Sequence, residues 1–327
     1  AYAENTINQA TEAVIKAQSS VTTSGDVTVE ASSQAGIAAS ILSASLSIGV
    51  GRDGGALSVG IAIAKNTIGS TLTGSRVKAA IETSKAASSA GKISVLASNL
   101  QAIRAETFAA AVAIAGGKRG VALSGTGAEN TNIIATQTIA SIEGKLSDSN
   151  GVSGQSVEVK AVNNSSVSSL TAAAAVSAAI GSKAVSLAIG VGLASNVLTG
   201  TTSATISENA EVTANATDVT VKAEDTSNIS AIAAAASVSV AFGQKGFALS
   251  GAGAQATNRI NSSTLAAIIG RSTDPVDTAS TRSVVGAQGN VSVEAKASGS
   301  ITSTIVAGSV AVGAGSTGVG ASIGVAL

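Results

Sequence analysis

Two segments carry the G-x-G-x-x-G spacing of a dinucleotide-binding turn: Gly49-Val50-Gly51-Arg52-Asp53-Gly54 and Gly313-Ala314-Gly315-Ser316-Thr317-Gly318. A third, Gly320-Ala321-Ser322-Ile323-Gly324, has the G-x-S-x-G spacing that presents a nucleophilic serine. The first chemistry needs a helix N-terminus after the glycines to meet a pyrophosphate. The second needs a histidine base, and the chain has no His, Cys, Met or Trp. Both G-x-G-x-x-G segments fall at the same point of a repeating pattern, and alternating aliphatic residues follow, which reads as a turn into a strand. Gly117-Lys118 and Gly91-Lys92 run into Arg119 and Ile93, so neither completes a phosphate loop. Acidic residues stand singly, without the glycine–aspartate array of calcium-binding coils. The expectation is a protein that is not an enzyme, with no catalytic, cofactor-binding or metal-ligating residue and no cofactor.

What the chain does carry is columns. A short aliphatic signature recurs as Val27-Thr28-Val29-Glu30-Ala31, Ile93-Ser94-Val95-Leu96-Ala97, Val157-Glu158-Val159-Lys160-Ala161, Val219-Thr220-Val221-Lys222-Ala223 and Val291-Ser292-Val293-Glu294-Ala295, at spacings of 66, 64, 62 and 72 residues. An asparagine column follows small-residue strands: Asn5, Asn66, Asn130, Asn196 and Asn258. From each signature to the next of these asparagines is 39, 37, 39 and 39 residues. Variation in length therefore collects on the other side of the unit, in surface loops, because a buried loop would strand its backbone polar groups. The longest, 269–289, holds the only proline, Pro275, and is the expected projecting loop.

Ten residues after each signature start stands a β-branched aliphatic, Ile37, Ile103, Val167, Ile229 or Ile301, in phase with the signature. Later aliphatics change phase: Leu46 and Ile48, Val112 and Ile114, Val238 and Val240, Val310 and Val312. In a strand that shift calls for a β-bulge or a corner. A glycine-flanked turn comes next, and four copies place Arg52, Lys118, Lys183 and Lys245 in it, 25 or 26 residues after the signature start. Alternation then resumes, as in Leu57, Val59, Ile61 and Ile63. The alanine runs at 171–179 and 231–236 compete as helix, but the same positions in other copies read Ser40-Ile41-Leu42-Ser43 and Thr304-Ile305-Val306, which favour strand.

Composition bounds the partners. Nineteen basic residues balance nineteen acidic ones, which speaks against nucleic acid, whose phosphates need a basic surplus. No apolar run reaches the ~20 residues of a membrane helix. With one Tyr and three Phe, the aromatic girdles of a membrane barrel are out of reach, so no membrane insertion is expected. Large side chains are few, which implies a thin core with backbones brought close.

The run Ala-Val-Ser-Leu-Ala-Ile-Gly-Val-Gly-Leu-Ala-Ser-Asn at 184–196, followed by Ser-Ala-Thr-Ile at 203–206 and Asp-Val-Thr-Val-Lys-Ala at 218–223, resembles the β-strand repeats of giant bacterial surface proteins, the leukotoxin-type and filamentous-haemagglutinin-like adhesin repeats. The resemblance spans the whole chain. It implies a secreted, extracellular or cell-surface, elongated β-array, and it brings no catalytic residue.

The expected fold is all-β: one continuous repeat array over 1–327, with units at approximately 1–61, 62–125, 126–191, 192–253 and 254–327. Its path is an elongated parallel β-solenoid, or alternatively stacked long antiparallel β-hairpins in two close-packed sheets. The absence of an initiating Met, and an array that starts and stops in phase without a polar cap, lead to the expectation of further repeats or end-to-end stacking. The asparagine column is expected to be a stacked structural ladder, and the Arg/Lys column a surface basic stripe. The functional expectation is a stalk, adhesin segment or filament whose partners are further copies of itself. The alternative is a binding module that touches glycan or host protein through the variable loops.

Overall fold

The computed structural model describes residues 1–69, 75–144, 151–270 and 282–327. The expected loop proline, Pro275, lies outside them. A leading pair, β1 (Tyr2–Ile7) and β2 (Ala10–Ile15), precedes five coils of like design. Each coil runs through a short strand, a long strand, an arc and a second long strand. The first contains β3 (Ser20–Thr23), β4 (Val27–Val50) and β5 (Asp53–Ile68), with β6 (Ser75–Glu82) extending the line of β5. The second has β7 (Lys85–Ser88), β8 (Ile93–Gly116) and β9 (Arg119–Glu143), and the third β10 (Val152–Gly154), β11 (Val157–Ile180) and β12 (Lys183–Ser207). The fourth has β13 (Glu211–Ala214), β14 (Val219–Phe242) and β15 (Lys245–Ile268), and the fifth β16 (Val284–Ala287), β17 (Val291–Ala314) and β18 (Thr317–Ala326).

Three sheets result. One arm sheet is ordered β1-β5-β9-β12-β15-β18, with β2 and β6 alongside; the other is β17-β14-β11-β8-β4; the short strands form β16-β13-β10-β7-β3. All the pairings are parallel, coil against coil, as in Val157↔Val219 through Ile180↔Phe242. The two long strands of a coil lie in different sheets, so the arc joins them without hairpin pairing. The chain is an elongated β-solenoid, and the antiparallel hairpin stack is not the path taken. A 24-residue strand spans about 80 Å, while each coil advances the stack by about 4.8 Å. The alanine runs are strand, within β11 and β14.

Period-two patterning places the columns. The first, third and fifth signature residues point inward and meet the short-strand sheet at the broad end of the cross-section. There Val95, Val159 and Val221 pack with Ile142, Ile206 and Val212 in one cluster. Ile103, Val167 and Ile229 join Ile68, Ile134 and Leu198 in the next. Full burial of each such side chain contributes about 1.5–3 kcal/mol, so most of the hydrophobic stabilisation sits at this end.

Toward the arc the section thins. The interior becomes alanine, as in the cluster of Ala113, Ala122, Ala179, Ala184, Ala241 and Ala248. The backbones come close enough that a Cβ on Gly192 would stand 2.6 Å from the Ala234 carbonyl oxygen. This closeness corrects the expected phase change. There is no bulge: β8 alternates without interruption from Val95 to Gly116. The residue types exchange places instead. Small residues keep the inward phase because nothing larger fits, and Leu46, Ile48, Ile114 and Val310 stand on the outer face.

Candidate functional site: amide ladders and the basic arc

The asparagine column lies between the arm sheets as a head-to-tail chain of side-chain amides. Asn5 Nδ2 donates to Asn66 Oδ1 at 2.9 Å, Asn66 to Asn132 at 2.9 Å, Asn132 to Asn196 at 2.8 Å, and Asn196 to Asn258 at 2.8 Å. Asn258 Nδ2 then reaches Ser303 Oγ at 3.3 Å. Asn66, Asn132 and Asn196 are almost fully buried. Each interior amide gives one hydrogen bond and takes one, and such chains polarise one another in a low-dielectric interior.

The member in the second coil is Asn132, not Asn130. Asn130 pairs in register with Ala64 and Ala194, two positions off the column. Both asparagines share a parity and point inward, so alternation alone does not separate them. Register does: with Asn132 the interval from signature to asparagine is 39 residues in each of the first four coils. Asn130 instead crosses to the opposite sheet, its Nδ2 donating to the Ala105 carbonyl at 3.0 Å while its Oδ1 meets no donor among the described residues.

A second ladder, which sequence reading missed, runs through the other arm sheet. Asn99 Nδ2 donates to Asn163 Oδ1 at 2.9 Å, and Asn163 Nδ2 to Asp225 Oδ2 at 2.8 Å. Its signal was present, since Asn99, Asn163 and Asp225 each stand six residues after a signature start. Asp225 is only 3% exposed, yet among the described residues no basic group forms an ion pair with it. Hydroxyls take that place: Thr202 donates to Oδ2 at 3.1 Å, and Ser227 and Ser262 to Oδ1 at 2.8 and 3.4 Å. A buried charge held only by neutral donors costs more than an amide would. Asp225→Asn, which continues the ladder as an amide, is expected to raise stability by about 1 kcal/mol, read as a higher urea midpoint at neutral pH.

The basic residues expected in one column occupy two adjacent rows on the arc. Register pairs Asp53, Arg119, Lys183, Lys245 and Thr317 in one row. Arg52 and Lys118 lie in the row before it, where the Arg119 and Lys183 amides donate to the Arg52 and Lys118 carbonyls. Arg119, absent from the sequence-based set, ion-pairs with Asp53 at 3.5 Å. The arc therefore presents five basic side chains and one acidic one. Both G-x-G-x-x-G segments lie across such arcs, and a strand follows each, β5 or β18, so no helix N-terminus faces those glycines.

Elsewhere, charges pair along the outer face at the broad end. Lys222 meets Glu224 at 2.9 Å and Glu294 at 3.6 Å, and Lys160 meets Glu224 at 3.5 Å. The hydrogen bond with Lys222 is the main reason the Glu224 carboxyl lies below its ordinary range, and the same bond holds the Lys222 ammonium above its own. The Arg76 guanidinium likewise lowers the Glu12 carboxyl. Among the described residues no group of three His, Cys, Asp or Glu side chains is placed to hold a metal ion, and no helix is long and apolar enough to cross a membrane. No family model, curated protein or solved structure matches the chain. The likeness to adhesin repeats thus holds at the level of an elongated, all-parallel β-repeat.

Proposed function

We propose that the chain is a structural repeat segment of a bacterial cell-surface or extracellular protein, serving as a stalk, adhesin segment or self-assembling filament. The observation that supports this reading is that the surface each coil recognises is another copy of itself. Signature residues are fully buried where coils flank them, as at Val219 and Val221, but Val291 and Val293 in the fifth coil are 48% and 46% exposed. Strands β4 and β17 offer 24-residue outer edges that pair with no other strand among the described residues, and such edges template a further parallel strand. The partner that fits these edges is a further coil of the same pattern, within a longer chain or from a second molecule.

Negative-stain microscopy of the purified chain tests this. The expected particles are ribbons about 80 Å wide that lengthen along the coil axis with a ~4.8 Å spacing in diffraction. Monodisperse particles that never lengthen with concentration would contradict assembly through the coil ends.

A further inference from the structure

We propose that the arc half of the solenoid is a lipid-facing wall, with its two outer faces seated in the hydrocarbon of a bilayer and its basic arc among anionic headgroups. In this half the usual burial order of a water-soluble protein is reversed. Inward positions carry Ala, Gly and Ser, with hydroxyl pairs such as Ser177–Ser186 at 2.6 Å and Ser237–Ser250 at 2.7 Å. Outward positions carry the large aliphatics. Small, hydroxyl-bonded residues between closely approaching backbones are what membrane interiors favour, because lipid offers no hydrophobic drive to bury large side chains.

The band has defined limits. On the face of β4, β8, β11, β14 and β17, every outward position from the row of Leu42 to that of Val50 is apolar or glycine. On the face of β5, β9, β12, β15 and β18 the same holds from the row of Gly55 to that of Ile61. These seven to nine residues rise about 23–30 Å, against a hydrocarbon layer of ~25–30 Å. Polar side chains return at the broad-end limit, with Glu106 and its ion-pair partner Arg104 on one face and Glu129 and Lys65 on the other. At the opposite limit stand Arg52, Lys118, Arg119, Lys183 and Lys245, which complement anionic lipid.

The aromatic residues, too few for a barrel's girdles, all stand on the outer faces at the margins of this band. Phe242 and Phe247 flank the arc, and Phe108 and Tyr2 mark the broad-end side. Aromatic rings favour that headgroup boundary.

Area and symmetry favour lipid over a second copy. Five coils give about 650 Å² of apolar face on each side, roughly 1,300 Å² together, beyond the ~300–600 Å² that monomers usually expose. A face-to-face dimer would cover one side and leave the other wet. Lipid covers both. Lipid cannot satisfy open sheet edges, so the proposal includes coil-end stacking in the membrane.

The test is flotation of the full chain with phosphatidylcholine–phosphatidylglycerol vesicles. The chain is expected to float, and Val176→Asp with Leu187→Asp, one on each outer face, to lower the bound fraction at least ~10-fold with the far-UV β signal unchanged. Tryptophans read depth through brominated lipids. Val238→Trp at mid-band should be quenched best by deep bromines, and Phe108→Trp and Phe242→Trp by shallow ones. Failure to float, flotation indifferent to the aspartates, or lipid-free oligomers that bury the band against itself would each overturn the proposal.

Discussion

Gly181→Ala is expected to destabilise the chain by about 3 kcal/mol or more. The arc glycines Gly51, Gly117, Gly181, Gly243 and Gly315 stack, and each of the last four lies against the carbonyl oxygen of the one before it. A Cβ on Gly181 would stand 2.1 Å from the Gly117 oxygen, and one on Gly243 1.9 Å from the Gly181 oxygen. Those atoms are backbone in a parallel ladder that continues on both sides, so relief requires the arc itself to move. The matched control is Gly125→Ala, on an outward position of β9 with nothing within 4 Å. It should leave the urea midpoint essentially unchanged. Equal effects from the two substitutions would show that the arcs do not stack in register.

The second large effect is at Asn132. Alanine there removes an acceptor from Asn66 and a donor from Asn196, both buried. Two stranded polar groups at about 1–3 kcal/mol each give an expected loss near 3 kcal/mol. Asn130→Ala, two residues away, breaks only the bond to the Ala105 carbonyl and deletes an Oδ1 that meets no donor among the described residues. Its expected cost is about 1 kcal/mol. Chemical denaturation of both variants measures the difference, and a larger loss at Asn130 would place the ladder on the wrong residue.

That pair also shows where sequence reasoning stops. The signature valines and the aliphatic ten residues beyond them were legible, because one parity holds them inside in every coil. Asn130 and Asn132 share that parity, and alternation does not choose between them. Counting from the arc would have chosen correctly: Asp53 to Asn66, Arg119 to Asn132, Lys183 to Asn196 and Lys245 to Asn258 are equal intervals. The second ladder was hidden because its column mixes Ser33, Asn99, Asn163, Asp225 and Ala297.

The exchange of faces near the arc was visible in Leu46 and Ile48 but was read as a bend. Alternation identifies two faces of a strand without saying which is inside. That depends on the separation of the sheets, which residues such as Gly49 set: a Cβ there would lie 1.9 Å from the Gly55 oxygen. Large side chains in the outward phase are a consequence of small ones in the inward phase.

The stack of in-register parallel coils underlies the ladders, the arc column and the apolar band alike. Its most direct test is a spin–spin distance between labels at Thr28→Cys and Ser292→Cys. These outward positions of β4 and β17 lie far apart in sequence but in one column, through Thr28↔Ser94, Ser94↔Glu158, Glu158↔Thr220 and Thr220↔Ser292. Four strand spacings predict a separation of about 20 Å. A distance beyond about 40 Å, more than twice that set by the strand spacing, would contradict the parallel solenoid.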